Sequence, residues 1–475
     1  MVSKEDLTID FKNRNVDILG FGVSNRPLAS LMLSLGANVT VYDAQDESSL
    51  GPEFAELKKQ GVRYEKWDPE REDLLGGDYI FRTPGIRPDV PAIDRACRRG
   101  AVLSSEMELF FEKTPAKIIA VTGSDGKTTT TTLIGLILSR ALQRKGSGRV
   151  FVGGNIGQPL LPQVFDMTED DFAVVELSSF QLMTMKKSPH IAVITNITPN
   201  HLNWHKDMNE YIDAKKRICS SKPLSRLVLN ADNPVTYRIG ENASVPVTYF
   251  SITKQGPVRI IPSWQHASRA LFLRDGAVWE GGPHLTCRKI LDIDDIQIPG
   301  KHNIENYMAA SAALEGLCET EDIVEIARSF PGVPHRLETV RRHQGVRYVN
   351  SSIDSTPSRT LISLKALGGD PIVIMGGRDK HLPYEELCAY LTSHITRVVL
   401  TGEAADLIEA ALHASDPCGR VRIEKRPDFA EAVRTASGLA QNGDTVLLSP
   451  SCTSFDAFHN FEERGERFRE IVNTI

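Results

Sequence analysis

The sequence predicts an α/β protein of three domains, and three observations carry that prediction. The chain is 475 residues long, too long for one ordinary hydrophobic core. Apolar runs of strand length alternate with helical patterns along most of it, the rhythm of parallel sheets covered by helices. Two proline-containing stretches, EKTPA at 112–116 and FPGVPHR at 330–336, interrupt that rhythm. The expected domains are 1–112, 113–332 and 333–475.

The first domain opens with VDILGFG at 16–22, an apolar run ending in glycines. Leu28, Leu31, Met32 and Leu35 then recur on one face of a helix that Gly36 ends. ANVTVYD at 37–43 is a second strand closing on an acid. Strand, glycine turn, helix, strand and acid outline a Rossmann-like nucleotide-binding unit. The strict fingerprint is absent, because Val23-Ser24-Asn25 follows Gly22, and a tight strand–helix packing turn accounts for the pattern nearly as well.

In the second domain KIIAVTG begins a new strand, and FAVVEL (172–177), IAVITN (191–196) and RLVLN (226–230) continue a parallel sheet. LFLRDGAVW carries an Asp275-Gly276 hairpin turn, which predicts a small antiparallel appendage between 250 and 300. Residues 303–329, rich in alanine, read as helical. In the third domain VRYVN, PIVIMGG, RVVLTG and TVLLSP repeat the α/β rhythm of a second Rossmann-like unit.

Composition narrows the function. Apolar residues make up 41% and charged residues 24% of the chain, the balance of a soluble globular protein rather than a disordered one. A net charge of −6 argues against a nucleic-acid partner but leaves room for anions bound by a few lysines and backbone amides. No apolar run reaches membrane-span length, and MVSKEDLTIDFKNRN lacks a signal core. The seven cysteines are scattered with no C-x-x-C pair, the usage of a reducing compartment. A cytoplasmic protein without a membrane partner is expected.

The stretch VTGSDGKTTTTT at 121–132 carries the chemistry. Its five threonines resemble a polar linker, yet they lie between a buried-strand pattern and the apolar helical stretch LIGLILSRAL. Strand, glycine loop, lysine, hydroxyl and helix is the recipe for a phosphate cradle, with loop amides and the helix N-terminus facing the anion. Lys127 would reach the outer phosphates and a hydroxyl would bind Mg²⁺. The strict G-x-x-x-x-G-K-[ST] motif is shortened here, since Val121 occupies its first glycine. The middle domain is thus expected to be a P-loop ATPase-type parallel sheet.

The shortened loop TGSDGKTT resembles that of the Mur ligase family, the ATP-dependent amide ligases of peptidoglycan precursor synthesis, and of the related folylpolyglutamate synthases. GGNIG (153–157), ELSSFQL (176–182), TPNHLNWH (198–205), YIDAKKR (211–217), GKHNIEN (300–306), PHRLE (334–338) and LLSPSCTSFDAFHNFEERG (447–465) follow in family order over nearly the whole chain. ELSSFQL and the C-terminal block are most similar to the D-glutamate-adding branch. The resemblance implies that a carboxylate of UDP-N-acetylmuramoyl-L-alanine is activated by ATP as an acyl phosphate and then attacked by D-glutamate. A monomer acting on small molecules in peptidoglycan and cell-wall synthesis, and so in cell shape and division, is implied, with ATP and two Mg²⁺ ions.

Residue by residue, the resemblance implies an ATP site of Gly123, Ser124, Asp125, Gly126, Lys127, Thr128, Thr129, Asn303, Asn306 and Arg336. Lys127, Glu176, His201 and Lys215 match its catalytic positions, with Thr128 and Glu176 on one Mg²⁺ and His201 and Lys215 on the other. The family's matching lysine is carbamylated, and the resemblance extends that modification to Lys215; by itself Lys215 reads as an exposed helix lysine. Ser24, Asp43, Thr83, Asn155, Ser178 and Gln181 match the UDP-substrate side, and Ser355, Lys380, Ser454 and Phe461 the D-glutamate pocket. In such an arrangement the C-terminal domain swings onto the loop, with hinges expected near 112–116 and 330–334.

Three departures stand out. The family opens its third domain with N-D-S-[KI]-[AS]-[TS], whereas this chain has Asn350-Ser351-Ser352-Ile353-Asp354-Ser355. Ser351 replaces an acid, and Asp354 is expected to place negative charge near the D-glutamate carboxylates. Asp125 and Asn203 stand where asparagine and an acid, respectively, are commoner. The alternatives are a related ligase with another acceptor, or a catalytically weakened nucleotide-binding homologue. More than a hundred residues precede the phosphate loop, which argues against a folylpolyglutamate synthase.

Overall fold

The apolar run Val16–Leu19 becomes the middle strand of a five-stranded parallel sheet. The computed structural model describes residues 4–202, 204–260, 267–283, 285–380, 382–416 and 418–475. Its first sheet contains β1 (Asn15–Leu19), β2 (Asn38–Asp43), β3 (Arg63–Lys66), β4 (Tyr79–Arg82) and β5 (Val102–Ser104), in the order β3-β2-β1-β4-β5. Alternation of chain order about β1 opens a crevice at the carboxyl ends of β1 and β4, the usual place for a ligand in such sheets.

The second sheet has nine strands: β6 (Lys117–Thr122), β7 (Val150–Gly154), β8 (Phe172–Glu176), β9 (Ile191–Ile194), β10 (Arg226–Asn230), β11 (Val247–Ser251), β12 (Ala267–Arg274), β13 (Ala277–Gly282) and β14 (Leu285–Asp292). β6 lies at its centre between β8 and β9, with Val121 in register with Glu176. Because buried parallel strands have no polar face, they read as continuous apolar runs. The hairpin signal is realised between β12 and β13, where Asp275 and Gly276 take positive φ of 51° and 71°. The antiparallel strands extend the same sheet, since β12 pairs in parallel with β11. Residues 303–329 divide into two helices, Lys301–Ala313 and Thr320–Ser329.

Two compact units divide the chain, Met1–Asp295 with His302–Arg328, and Ile296–Lys301 with Ser329–Ile475. Both sheets above belong to the first unit, and one hydrophobic core runs through them. Ile18 and Phe81 of the first sheet, Phe110 and Phe111 of the helix Glu106–Lys113, and Ala120 and Val175 of the second all belong to it. The second unit holds β15 (Glu338–His343), β16 (Val346–Asn350), β17 (Ile372–Gly376), β18 (Arg397–Thr401), β19 (Arg422–Lys425) and β20 (Thr445–Leu448), ordered β15-β16-β20-β17-β18-β19. Only the pairing of β15 with β16 is antiparallel among these described strands. Separate apolar cores cover the two faces of this sheet. Among the described residues, no helix is long and apolar enough to cross a membrane.

Candidate active site

The tract that raised the question of a linker is a strand, a loop and a helix. β6 ends at Thr122, the turn runs through Gly123–Gly126, and the helix Lys127–Lys145 begins at once, with the threonines forming its first turn. Gly126 is its N-cap, at φ +79°. A Cβ there would sit 2.5 Å from Asn306 Oδ1, and one on Gly123 would overlap Thr195 Oγ1. Only glycine fits such an approach at that φ. Asn306 secures the turn, its Oδ1 accepting from Thr130 Oγ1 at 3.2 Å and its Nδ2 donating to Asn303 Oδ1 at 3.0 Å. Thr129 is buried, Thr128 half-buried, and Lys127 Nζ donates to Ser124 O at 2.9 Å.

The loop is held on its other flank as well. Ser124 Oγ lies 2.9 Å from Tyr211 Oη and donates to Thr198 O at 2.9 Å. Asn196 Oδ1 accepts from the Asp125 amide at 3.0 Å, and Thr195 Oγ1 donates to Asp125 O at 2.6 Å. Asn303, Asn306 and Ser124, read from the sequence as ATP contacts, lie at this loop. Tyr211, seen in the sequence only as part of the YIDAKKR block, and Thr195 were not read as loop contacts, because a hydroxyl carries no signal of its partner. Burial raises the Tyr211 phenol to about 12, so it stays protonated and available as a hydrogen bonder.

Glu176 ends β8 beside β6 and is 1% exposed. Asn155 Nδ2 donates to its Oε1 at 2.8 Å, while its buried Oε2 has no hydrogen-bond partner. The cap of the following short helix is Ser178, in a capping box with Gln181, so Glu176 is not a capping carboxylate. A carboxylate with one oxygen tied and one bare, next to a glycine loop and hydroxyls, is a fitting donor for a hard divalent cation. Among the described residues no group of three His, Cys, Asp or Glu side chains forms a ready-made metal cluster. Any cation here would therefore rely on hydroxyls, phosphate oxygens and modified or single ligands.

Lys215 is buried at 1% exposure rather than lying on an exposed helix face. Its Nζ donates to Gly123 O at 2.7 Å and lies 3.4 Å from Thr122 Oγ1. Burial, reinforced by Lys127 nearby, holds its amine well below the ordinary lysine range. His201 is exposed, at φ +55°, with its ring 5.0 Å from that of Phe180. Asn203 lies outside the described residues.

At the carboxyl ends of β1, β2 and β4 the structure brings Ser24, Asp43 and Thr83 to one edge of the first sheet. Asp43 is engaged there, its Oδ2 accepting from the Phe21 amide at 2.7 Å and its Oδ1 from the Gln45 amide at 2.8 Å. Thr83 packs on Gly20, where a Cβ would come 2.7 Å from Thr83 Cγ2. Asn155, Ser178 and Gln181 lie on the β7 and β8 side of the second sheet, with Ser178 and Gln181 bonded to each other.

In the second unit, Lys380 Nζ reaches Ser355 Oγ at 3.5 Å. Phe461 O accepts from Ser352 Oγ at 2.8 Å, and Ser454 O accepts from the amides of Ala457 and Phe458. Arg336 lies between His335 and Leu337, both at positive φ. Asp354 lies inside the fold. It is 4% exposed, accepts from Ser449 Oγ at 2.8 Å, and is also hydrogen-bonded by Ser351 and Ser363. The carboxyl group therefore sits inside the fold behind a ring of hydroxyls. Ser351, which replaces the family's acid, is one of the donors to it.

Known proteins resemble this chain along nearly its whole length. Residues 121–314 match the profile of the Mur ligase middle domain, and residues 335–452 that of the Mur ligase, glutamate ligase domain. The UDP-N-acetylmuramoylalanine–D-glutamate ligase of Ruminiclostridium cellulolyticum is 43% identical over 99% of both chains. Its namesake in Acetivibrio thermocellus is 42% identical over 99% of this chain and 98% of its own. Among solved structures, a UDP-N-acetylmuramate-alanine ligase of Thermotoga maritima aligns over 97% of this chain and all of its own, at a TM-score of 0.56 and 19% identity. With both family profiles matched and full-length relatives at this identity, the chain belongs to the Mur ligase family.

Proposed function

We propose that this ligase adds D-glutamate to UDP-N-acetylmuramoyl-L-alanine, in the cytoplasm and as a monomer, within peptidoglycan precursor synthesis. The observation that supports ATP-driven chemistry is Glu176, bare at Oε2 and buried beside the glycine loop. The choice of acceptor rests on the names of relatives more than 40% identical along their full length. The three-domain reading belongs to the same proposal: a Rossmann-like UDP-binding domain at 1–112, an ATP domain at 113–332 and a Rossmann-like amino-acid domain at 333–475.

In this reading the substrate carboxylate attacks the γ-phosphorus of ATP and ADP leaves, giving an acyl phosphate. The amine of D-glutamate then attacks the acyl carbon, and phosphate leaves from the tetrahedral intermediate. The residues answer the charge problem of crowding three anions together. Amides of Gly123–Gly126 and the helix N-terminus would cradle the β-phosphate, Lys127 would swing from Ser124 O to the γ-phosphate, and Asn303, Asn306 and Arg336 would hold the nucleotide.

Thr128 and Glu176 would hold one Mg²⁺, and His201 with Lys215 the second. A cation held by these residues would supply positive charge to offset that developing on the phosphoryl oxygens. Lys215 is suited to carbamylation because burial favours its neutral amine. That nitrogen adds to the carbon of CO₂ and loses a proton, leaving a carbamate whose remaining N–H can still donate to Gly123 O. Ser24, Asp43 and Thr83 would orient the UDP group, Asn155, Ser178 and Gln181 the muramoyl-alanine, and Ser355, Lys380, Ser454 and Phe461 the acceptor. Mass spectrometry of the product tests the assignment: UDP-N-acetylmuramoyl-L-alanine gains one glutamyl residue with D-glutamate. A gain only with another amino acid contradicts it.

A further inference from the structure

The turn that carries His201 and the first sheet's ligand edge are joined by a side chain that no part of the proposed chemistry uses. Arg87 follows Thr83 in the loop after β4. Its guanidinium donates to both oxygens of Glu210, at 2.8 and 3.1 Å, to both oxygens of Asp89, at 2.8 and 2.9 Å, and to Trp204 O at 2.7 Å. All of its N–H directions are directed at carboxylate or carbonyl oxygens, the planar fork that lysine cannot reproduce. The guanidinium also lies 4.9 Å from the Trp204 ring centroid.

The other half of the clamp returns the contact. Trp204 Nε1 donates to Gly85 O at 3.1 Å, so each loop grips the backbone of the other. Glu210 also accepts from the Lys206 amide at 2.9 Å and lies 3.3 Å from His205 Nδ1. His205 Nε2 in turn meets Ser179 Oγ at 2.9 Å. The amides of Trp204 and His205 both donate to His201 O at 3.0 Å, and this turn carries His201 at its positive φ. A left-handed histidine is a conformation the surroundings must impose.

We infer that Arg87 is a positioning residue: by bridging Glu210 and the Trp204 carbonyl it holds the His201 turn against the loop that follows Thr83, so that the UDP-substrate edge and the His201 side of the site keep a fixed separation. The inference rests on the proposed ligase function for the roles of Thr83 and His201. The clamp itself is geometry within one compact unit.

The test uses the full chain, as wild type, Arg87→Ala, Arg87→Lys, His201→Ala and the Arg87→Ala/His201→Ala double variant. Hydrogen–deuterium exchange is read over 198–207 and over the helix Lys127–Lys145, and phosphate release is followed in parallel. In Arg87→Ala, amides at 204–206 exchange about tenfold faster or more while the 127–145 helix is unchanged. kcat falls by about tenfold or more, with the KM for ATP within about twofold. Arg87→Lys follows Arg87→Ala, because one ammonium cannot span both carboxylates and the carbonyl. The double variant loses no more activity than His201→Ala alone.

Unchanged exchange at 204–206 overturns the inference, and so does additivity of the two substitutions. Faster exchange throughout the chain also overturns it, as the sign of a general packing role. If wild type forms no glutamyl product, the functional reading fails, and the exchange comparison still decides the clamp.

Discussion

Asn155 Nδ2 donates to Glu176 Oε1 at 2.8 Å, and this single bond leaves the buried Oε2 of the same carboxylate without a partner. Burying an unpaired carboxylate oxygen is costly, so its presence beside the glycine loop implies a ligand that completes it. Glu176→Gln keeps the size and the strand but removes the charge. Phosphate release is expected to fall by about a hundredfold or more, while the thermal midpoint stays or rises. Wild-type turnover in Glu176→Gln contradicts the role given to Glu176.

Gly126 makes a second, purely steric prediction. Alanine at this position meets Asn306 Oδ1 at 2.5 Å and must hold φ +79°. The left-handed conformation alone costs about 1–2 kcal/mol, and displacing Asn306 also disturbs its bonds to Thr130 and Asn303. Calorimetry with a non-hydrolysable ATP analogue is expected to show at least about tenfold weaker binding, whereas Gly146→Ala, at the far end of the same helix, leaves binding unchanged.

The placement of Lys215 predicts a modification with a spectroscopic signature. Protein equilibrated with ¹³C-bicarbonate is expected to show one carbamate carbon resonance by NMR. The resonance disappears in Lys215→Ala and persists in Lys216→Ala. A spectrum identical in wild type and Lys215→Ala excludes carbamylation at this site.

Glu106 and Asp354 are buried acids whose effect appears in stability. Burial raises the Glu106 carboxyl to about 7 from an ordinary 4.5, although the Leu161 amide donates to it at 3.0 Å. A raised acid contributes stability that is complete below its unfolded value and is lost as pH climbs through its folded value. Between pH 4.5 and 7 wild type therefore loses stability from this group, on the order of 3 kcal/mol at most. Glu106→Gln is expected to flatten that slope in urea titrations; an unchanged slope contradicts it. Asp354→Ala strands three serine hydroxyls and is expected to cost about 1–3 kcal/mol, with the KM for D-glutamate within about twofold. A marked fall in that KM instead places the Asp354 charge near the D-glutamate carboxylates.

The strands flanking the phosphate loop were legible because buried parallel strands are continuous apolar runs, as in Ile118–Val121 and Phe172–Val175. Short strands such as β3, with the sequence RYEK, carry no such run, since an edge strand is held by backbone pairing more than by burial. Glycine and lysine spacing exposed the loop itself. The sequence did not reveal that Lys215 is buried, because the helix Met208–Lys216 has no clear apolar face, and its covered side is set by the short helix Ser179–Leu182 and the loop after β6. The burial of Asp354 was hidden for a related reason: Ser351 and Ser363 are near it in sequence but give no sign of the contact, and Ser449 comes from beyond β20. The Arg87 clamp spans more than a hundred residues of sequence and was equally silent.

The most direct test of the central claim is phosphate release with ATP, Mg²⁺ and UDP-N-acetylmuramoyl-L-alanine, with and without D-glutamate, for wild type and Lys127→Ala. The account predicts release that requires D-glutamate and vanishes in Lys127→Ala. Release that ignores D-glutamate, or that survives the loss of Lys127, would contradict it.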